Sequence, residues 1–156
     1  FDDLVAARDL EPTGLNDLVA LMAGRRWIWI EGNHDPGPVA LGGSHLSQLA
    51  VSGLVFRHIA EPGTTGEISG HFHPKARLRT RARSITKRCL LVDAARIILP
   101  AYGTYTGGLF CDAPELDRIM EDGATAILLA SPPVAVPMPR PASRPRPSPG
   151  RPGSSG

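Results

Sequence analysis

Apolar residues recur at Leu15, Leu18, Val19 and Met22, the i, i+3, i+4, i+7 spacing of an amphipathic helix. Thr13 is placed to cap that helix and Gly24 to end it. The pattern then changes. Trp27-Ile28-Trp29-Ile30 is a continuous apolar run, short enough for a buried strand, and the polar loop Glu31 to Pro36 follows at once. Pro36 to Gly53 reads as loop with one short helix around Leu46 to Val51, while Leu54-Val55-Phe56 and Gly66-Glu67-Ile68-Ser69 read as further strands.

From Ala76 the chain alternates, with Ala76, Leu78, Thr80 and Ala82 on one side and Arg77, Arg79, Arg81 and Arg83 on the other. That period of two predicts an extended strand with one basic face. Arg88 to Val92 and Arg96 to Leu99 predict two strands of a hairpin turning at Asp93-Ala94-Ala95, with Pro100 ending the second. A glycine-rich loop, Tyr102 to Gly108, precedes a helix over Pro114 to Met120 and a strand over Ala124 to Leu129. Helix, buried strand, then a loop rich in Asn and His is the layout of an α/β active-site edge.

Composition refines this. With 156 residues and 42% apolar positions, residues 1–130 suit a single globular domain with a modest core. Pro, Arg, Ser and Gly dominate 131–156, which is expected to be a disordered tail. No apolar stretch approaches the roughly 18 residues of a membrane span, and no basic-then-apolar leader opens the chain, so a cytoplasmic protein without a membrane partner is expected. Cys89 and Cys111 lack metal-type spacing and form no disulfide framework, which leaves them as core or incidental thiols.

The net charge of +2 hides an asymmetry: Phe1 to Ala23 holds five acids and one base, whereas Lys75 to Arg88 holds seven bases and no acid. A basic stripe suits a polyanionic partner, and it also suits a solvated strand face. Neither glycine fingerprint of a nucleotide-binding strand–loop–helix unit follows any predicted strand, so that class is excluded.

The candidate chemistry lies in histidines. Asn33, His58, His71 and His73 each sit where an apolar run gives way to a loop. Imidazole nitrogens and an amide oxygen together fit a centre for divalent ions such as Mn, Zn or Fe. Two imidazoles one residue apart, in Gly70-His71-Phe72-His73-Pro74, can face two ions, or one ion and a substrate, if the backbone turns between them. His34 is the candidate proton donor, since a group titrating near neutrality beside a bound phosphate can protonate a leaving alkoxide. Asp35 either orients that ring or caps the turn before Pro36. His45, in Gly-Gly-Ser-His, reads as a loop histidine.

Gly32-Asn33-His34-Asp35, His58 and Gly70-His71-Phe72-His73 resemble the calcineurin-like binuclear metallophosphoesterases. Three longer blocks, Arg57 to Pro62, Glu67 to Arg77 and Leu99 to Leu109, are similar to one bacterial group within them, the ligase-associated DNA damage response phosphoesterases called PdeM. The resemblance implies an α/β fold of layered β-sheets flanked by helices, an αββα sandwich, lacking its first strand or strands here. It implies two divalent ions, with Asn33, His58 and His71 on one, His73 on the other, and His34 donating the proton. It also implies a phosphoester substrate such as DNA, and association with DNA ligase and helicase repair proteins. The family's opening Asp-x-His and its metal-bridging Gly-Asp would precede Phe1. The chain is therefore expected to be a fragment with exposed apolar surface and little or no activity.

The leading expectation is thus a metal-dependent phosphodiesterase or nuclease in bacterial DNA repair, with Arg77, Arg79, Arg81 and Arg83 contacting phosphates. The alternatives are a non-catalytic nucleic-acid-binding remnant of the same fold and a small-molecule phosphatase.

Overall fold

Short apolar runs broken by polar turns leave little room for helix, and the computed structural model is dominated by strands. It describes residues 12–33, 41–79, 83–101 and 107–142, with the main chain alone at 12 and 79. In chain order these form helix α1 (Pro12–Met22) and strands β1 (Ile28–Ile30), β2 (Ser44–Leu46), β3 (Gln48–Val51), β4 (Leu54–Arg57), β5 (Glu67–Ser69), β6 (Lys75–Arg79), β7 (Ser84–Val92) and β8 (Arg96–Ile98). Helix α2 (Pro114–Ile119) and strands β9 (Thr125–Leu128) and β10 (Val134–Pro137) follow. The architecture is mixed α/β, a many-stranded sheet with two helices among the described residues.

The main sheet has the order β10-β9-β7-β8-β5-β4-β3, and β6 pairs with the first half of β7. β4, β5 and β8 run parallel, while every other pair in this sheet is antiparallel. The core lies where α2 meets the β7–β9 region. Leu91, Ile98, Leu116, Ala126 and Cys89 are buried there, with Met120 and Met138 beside them. The two thiols belong to this core: Cys89 Sγ and Cys111 Sγ lie 3.4 Å apart and are unbonded. The hydrogen bond to Cys89, and then burial, push the Cys111 thiol well above the ordinary thiol range.

Asp93 makes the predicted β7–β8 hairpin by turning its carboxylate onto its own loop, accepting from the backbone N–H of Ala95 and of Arg96, both at 2.8 Å. Its other oxygen accepts from Glu121 N–H at 2.9 Å, tying the turn to the end of α2.

Four expectations change. α1 already includes Pro12, so Thr13 lies inside the helix and does not cap it. The helix expected around Leu46 to Val51 is instead β2 and β3. Ser52 (φ 51°) and Gly53 (φ 79°) both take left-handed backbone, the two-residue turn that closes a hairpin between β3 and β4. The Trp27 to Ile30 run is strand only from Ile28 and is half-buried, because it pairs with β2 in a separate two-stranded parallel sheet instead of entering the main one.

The tail boundary also moves. Val134–Pro137 forms β10 on the edge of the main sheet, Met138 is buried, and Arg140 bonds the Asp117 carboxylate at 3.0 Å. Proline is compatible with an edge strand, where an amide can be missing without breaking a ladder. Residues 143–156 and the segment 102–106 of the glycine-rich loop lie outside the described residues.

Candidate metal centre

Parallel strands deliver their following loops to one edge of a sheet, and β4, β5 and β8 do this in register. His58 follows the last residue of β4, and Gly70 follows the last residue of β5 and donates its N–H to His58 O at 3.1 Å. His71 comes next. Its Nδ1 lies 3.0 Å from His58 Nε2, with the two rings edge to face and their centroids 4.9 Å apart.

The backbone then doubles back. His71 (φ 48°) and His73 (φ 47°) both hold left-handed conformations, and Phe72 N–H donates to Gly70 O at 2.6 Å. Residues with a Cβ pay about 1–3 kcal/mol for such backbone, which survives only where its surroundings enforce it. Leu109 N–H donates to Phe72 O at 2.9 Å, and Lys75 N–H donates to Leu109 O at 2.8 Å. Gly108 sits against His73 so closely that a Cβ there would collide with the His73 carbonyl oxygen. The turn anticipated between the two histidines is therefore built, and the extended segment 107–110 holds it in place.

Asn33 arrives from elsewhere. It follows β1, is exposed, and adjoins Gly32, whose missing side chain makes room for the His58 ring: a Cβ at 32 would lie 2.9 Å from His58 Cε1 and Nδ1. His34 and Asp35 lie outside the described residues. His45, expected as a loop histidine, lies instead on β2 and stacks on Trp29 with centroids 6.2 Å apart.

Two nitrogens bound at about 2.0–2.1 Å to one ion lie roughly 2.8–3.4 Å apart for right-angle to tetrahedral arrangements. The His58–His71 separation of 3.0 Å fits joint ligation with little movement, and without an ion it is an ordinary ring hydrogen bond. Among the described residues, no group of three or more His, Cys, Asp or Glu is arranged to hold a metal. Asn33, next to the Gly32 that meets the His58 ring, is the described residue expected as a further donor. His73, on the same turn as His71, is the described residue expected to serve a second ion.

The basic face is partly as expected. On β6, Ala76 is buried, Leu78 half-buried and Arg77 exposed. Arg79 pairs with Ser84 at the start of β7, so the chain turns between them and Arg83, exposed, lies on the connection instead of continuing the strand. Alternation alone does not locate such a turn. Arg81 and the Arg79 side chain lie outside the described residues. Sequence reasoning missed Phe110: the Arg77 guanidinium lies over its ring at 4.4 Å and Lys75 Nζ at 5.3 Å. Its bridge to Lys75 is long-range, and no local pattern announces it.

Sequence reasoning also missed a buried ion network behind the site. Glu67 and Arg96 have side chains 0% and 4% exposed and lie 3.3 Å apart. A charged residue in a three-residue strand gives no local sign that its partner lies 29 positions away.

The fold has a known counterpart. The crystal structure of the Pseudomonas putida nuclease MPE is similar over 76% of this chain, with a TM-score of 0.55 and 21% identity. The chain spans 57% of that nuclease's length. No family model and no curated protein matches. Likeness at this identity establishes a shared fold. Among the described residues no helix is long and apolar enough to cross a membrane.

Proposed function

We propose that the chain carries part of a metal-dependent phosphoester-hydrolysing site of the nuclease or phosphodiesterase type. The observation that supports it best is the His58–His71 contact at the carboxyl edge of parallel strands, with His73 on the same enforced turn. The nuclease counterpart in fold adds to it. In this reading the layers are those of an αββα metallophosphoesterase, and Asn33, His58 and His71 hold one divalent ion while His73 serves a second. Mn, Zn and Fe all suit this donor set.

Two such ions supply charge neutralisation at the phosphate and activation of water. The chain's own residues do the rest. His34 protonates the leaving oxygen, with Asp35 orienting its ring. Arg77 and Lys75, ordered over Phe110, meet the flanking phosphates, with Arg79, Arg81 and Arg83 extending that contact. Nucleic acid is the substrate this face favours over a small phosphate ester, because charges spread along a strand and its turn match a chain of phosphates. Placement in DNA repair, beside ligase and helicase proteins, rests on the sequence resemblance.

Phosphodiester hydrolysis with added manganese, measured on the chain with any coding sequence upstream of Phe1, tests the reading. His71→Ala is expected to abolish turnover while leaving the sheet folded; unchanged turnover in that variant contradicts it. A second reading, a nucleic-acid-binding module without turnover, is favoured by the lack of a three-carboxylate-or-imidazole group among the described residues. Salt-dependent DNA binding with no hydrolysis would establish it.

A further inference from the structure

His58 is the first residue beyond β4, and the chain from there to Gly66 has no regular structure of its own. A loop of that kind does not by itself fix an imidazole. This one is fastened from beneath, by charged groups withdrawn from water.

Arg96 on β8 reaches under the loop. Its Nη1 donates to Glu61 O at 2.9 Å and its Nη2 donates to Thr64 O at 3.1 Å. Glu67 on β5 pairs with the same guanidinium at 3.3 Å, and its second oxygen accepts from the Glu61 backbone N–H at 2.9 Å. Arg57, immediately before His58, closes the arrangement: its Nε lies 3.7 Å from Glu67 Oε2, and its Nη1 is ion-paired with the Glu61 carboxylate. Both backbone polar groups of Glu61, three residues past His58, are thereby held by buried charge.

We propose that the Glu67–Arg96 pair is the positioning device for His58, setting its ring against His71 through the Glu61–Thr64 loop. A buried ion pair is a costly way to stabilise a sheet, since two charges leave water and well-packed apolar residues do as well or better. Its geometric yield is different. A planar guanidinium donating to two carbonyls fixes both the height and the tilt of a loop, and a carboxylate accepting from the same peptide prevents rotation. The contacts of Glu67 and Arg96 run to each other, to Arg57 and to the loop backbone, and through that backbone they act on His58. This inference deepens the metal-site reading, and its importance for function rests on that reading.

The test is made on the metal-free chain. Imidazole nitrogen NMR reads the His58 Nε2–His71 Nδ1 contact through the nitrogen–nitrogen coupling across the hydrogen bond, and backbone amide shifts report the sheet. The double variant Glu67→Gln/Arg96→Met removes both charges, so neither is left orphaned. Arg96→Lys keeps the charge balance but offers one compact ammonium in place of a two-pronged donor. It serves if the double variant does not fold.

The expected result is the coupling present in the parent and lost in either folded variant, with the amide shifts of β7, β8 and β9 unchanged. A folded variant that retains the coupling overturns the proposal, as does a parent that lacks it. Zinc titration of the same samples separates the two readings. A parent that shows the coupling but binds no zinc contradicts the metal site and leaves the positioning role standing. If zinc binds, both variants are expected to lose at least tenfold in affinity.

Discussion

Two regions of the molecule supply the candidate site by different means. His58, His71 and His73 rise from the main sheet, where parallel β4, β5 and β8 run in register, a buried ion network lies beneath, and the 107–110 segment clasps the far side. Asn33 comes from β1, three half-buried residues paired only with the three residues of β2. That small sheet is supported by Trp29, which donates to Gly42 O at 2.7 Å, and by its contacts with Trp27 and His45. Two short strands are marginal without further packing. The imidazole pair is fixed by the main sheet, whereas Asn33 follows a lighter element that meets the pair at Gly32.

The largest effect that would break this comparison is on stability. Leu91→Ala empties a fully buried position in the main sheet and is expected to cost about 2–5 kcal/mol. Ile28→Ala, half-buried in β1, should cost about 1 kcal/mol. Chemical denaturation of both variants checks the ratio, and equal losses would show that the two sheets fold as equals. Next comes ligation. His58→Ala and His71→Ala should each weaken zinc binding by on the order of a hundredfold, and Asn33→Ala by on the order of tenfold, measured by calorimetry.

Gly108→Ala sharpens the role of the clasp. Its φ of 115° and its contact with His73 should make alanine cost about 1–3 kcal/mol and displace His73. Gly53→Ala, with open space around it, should cost only about 1 kcal/mol. The smallest effect concerns the basic face. Replacing Arg77 with Ser should lower the salt dependence of DNA binding by about one unit of slope. Unchanged slope after replacing Arg77, Arg79, Arg81 and Arg83 together would return them to solvated surface.

Much of the main sheet was legible because its strands are short apolar runs ending at polar turns: β4, β5, β8 and β9 fall where the pattern puts them, and β7 covers the expected Arg88 to Val92 but starts earlier, at Ser84. His58 and His71 were legible for the same reason, lying one residue past β4 and two past β5, with His73 two residues further on. What the pattern hid depends on distant partners. β3 is mostly exposed and exists because Ser52 and Gly53 turn it onto β4. β10 sits in proline-rich sequence and exists because β9 offers an open edge. Glu67 reads as a surface residue until Arg96 and Arg57 are brought beside it. The basic stripe bends because Arg79 pairs with Ser84. His34 and Asp35 fall outside the described residues.

The central claim is that His58 and His71 form one half of a metal centre. Zinc titration of the parent chain, followed through the imidazole nitrogen shifts, tests it most directly. Both rings are expected to shift together at one equivalent of zinc, and their mutual hydrogen bond to disappear as the ion replaces the proton between them. Rings that keep their shifts and their coupling at saturating zinc would contradict it.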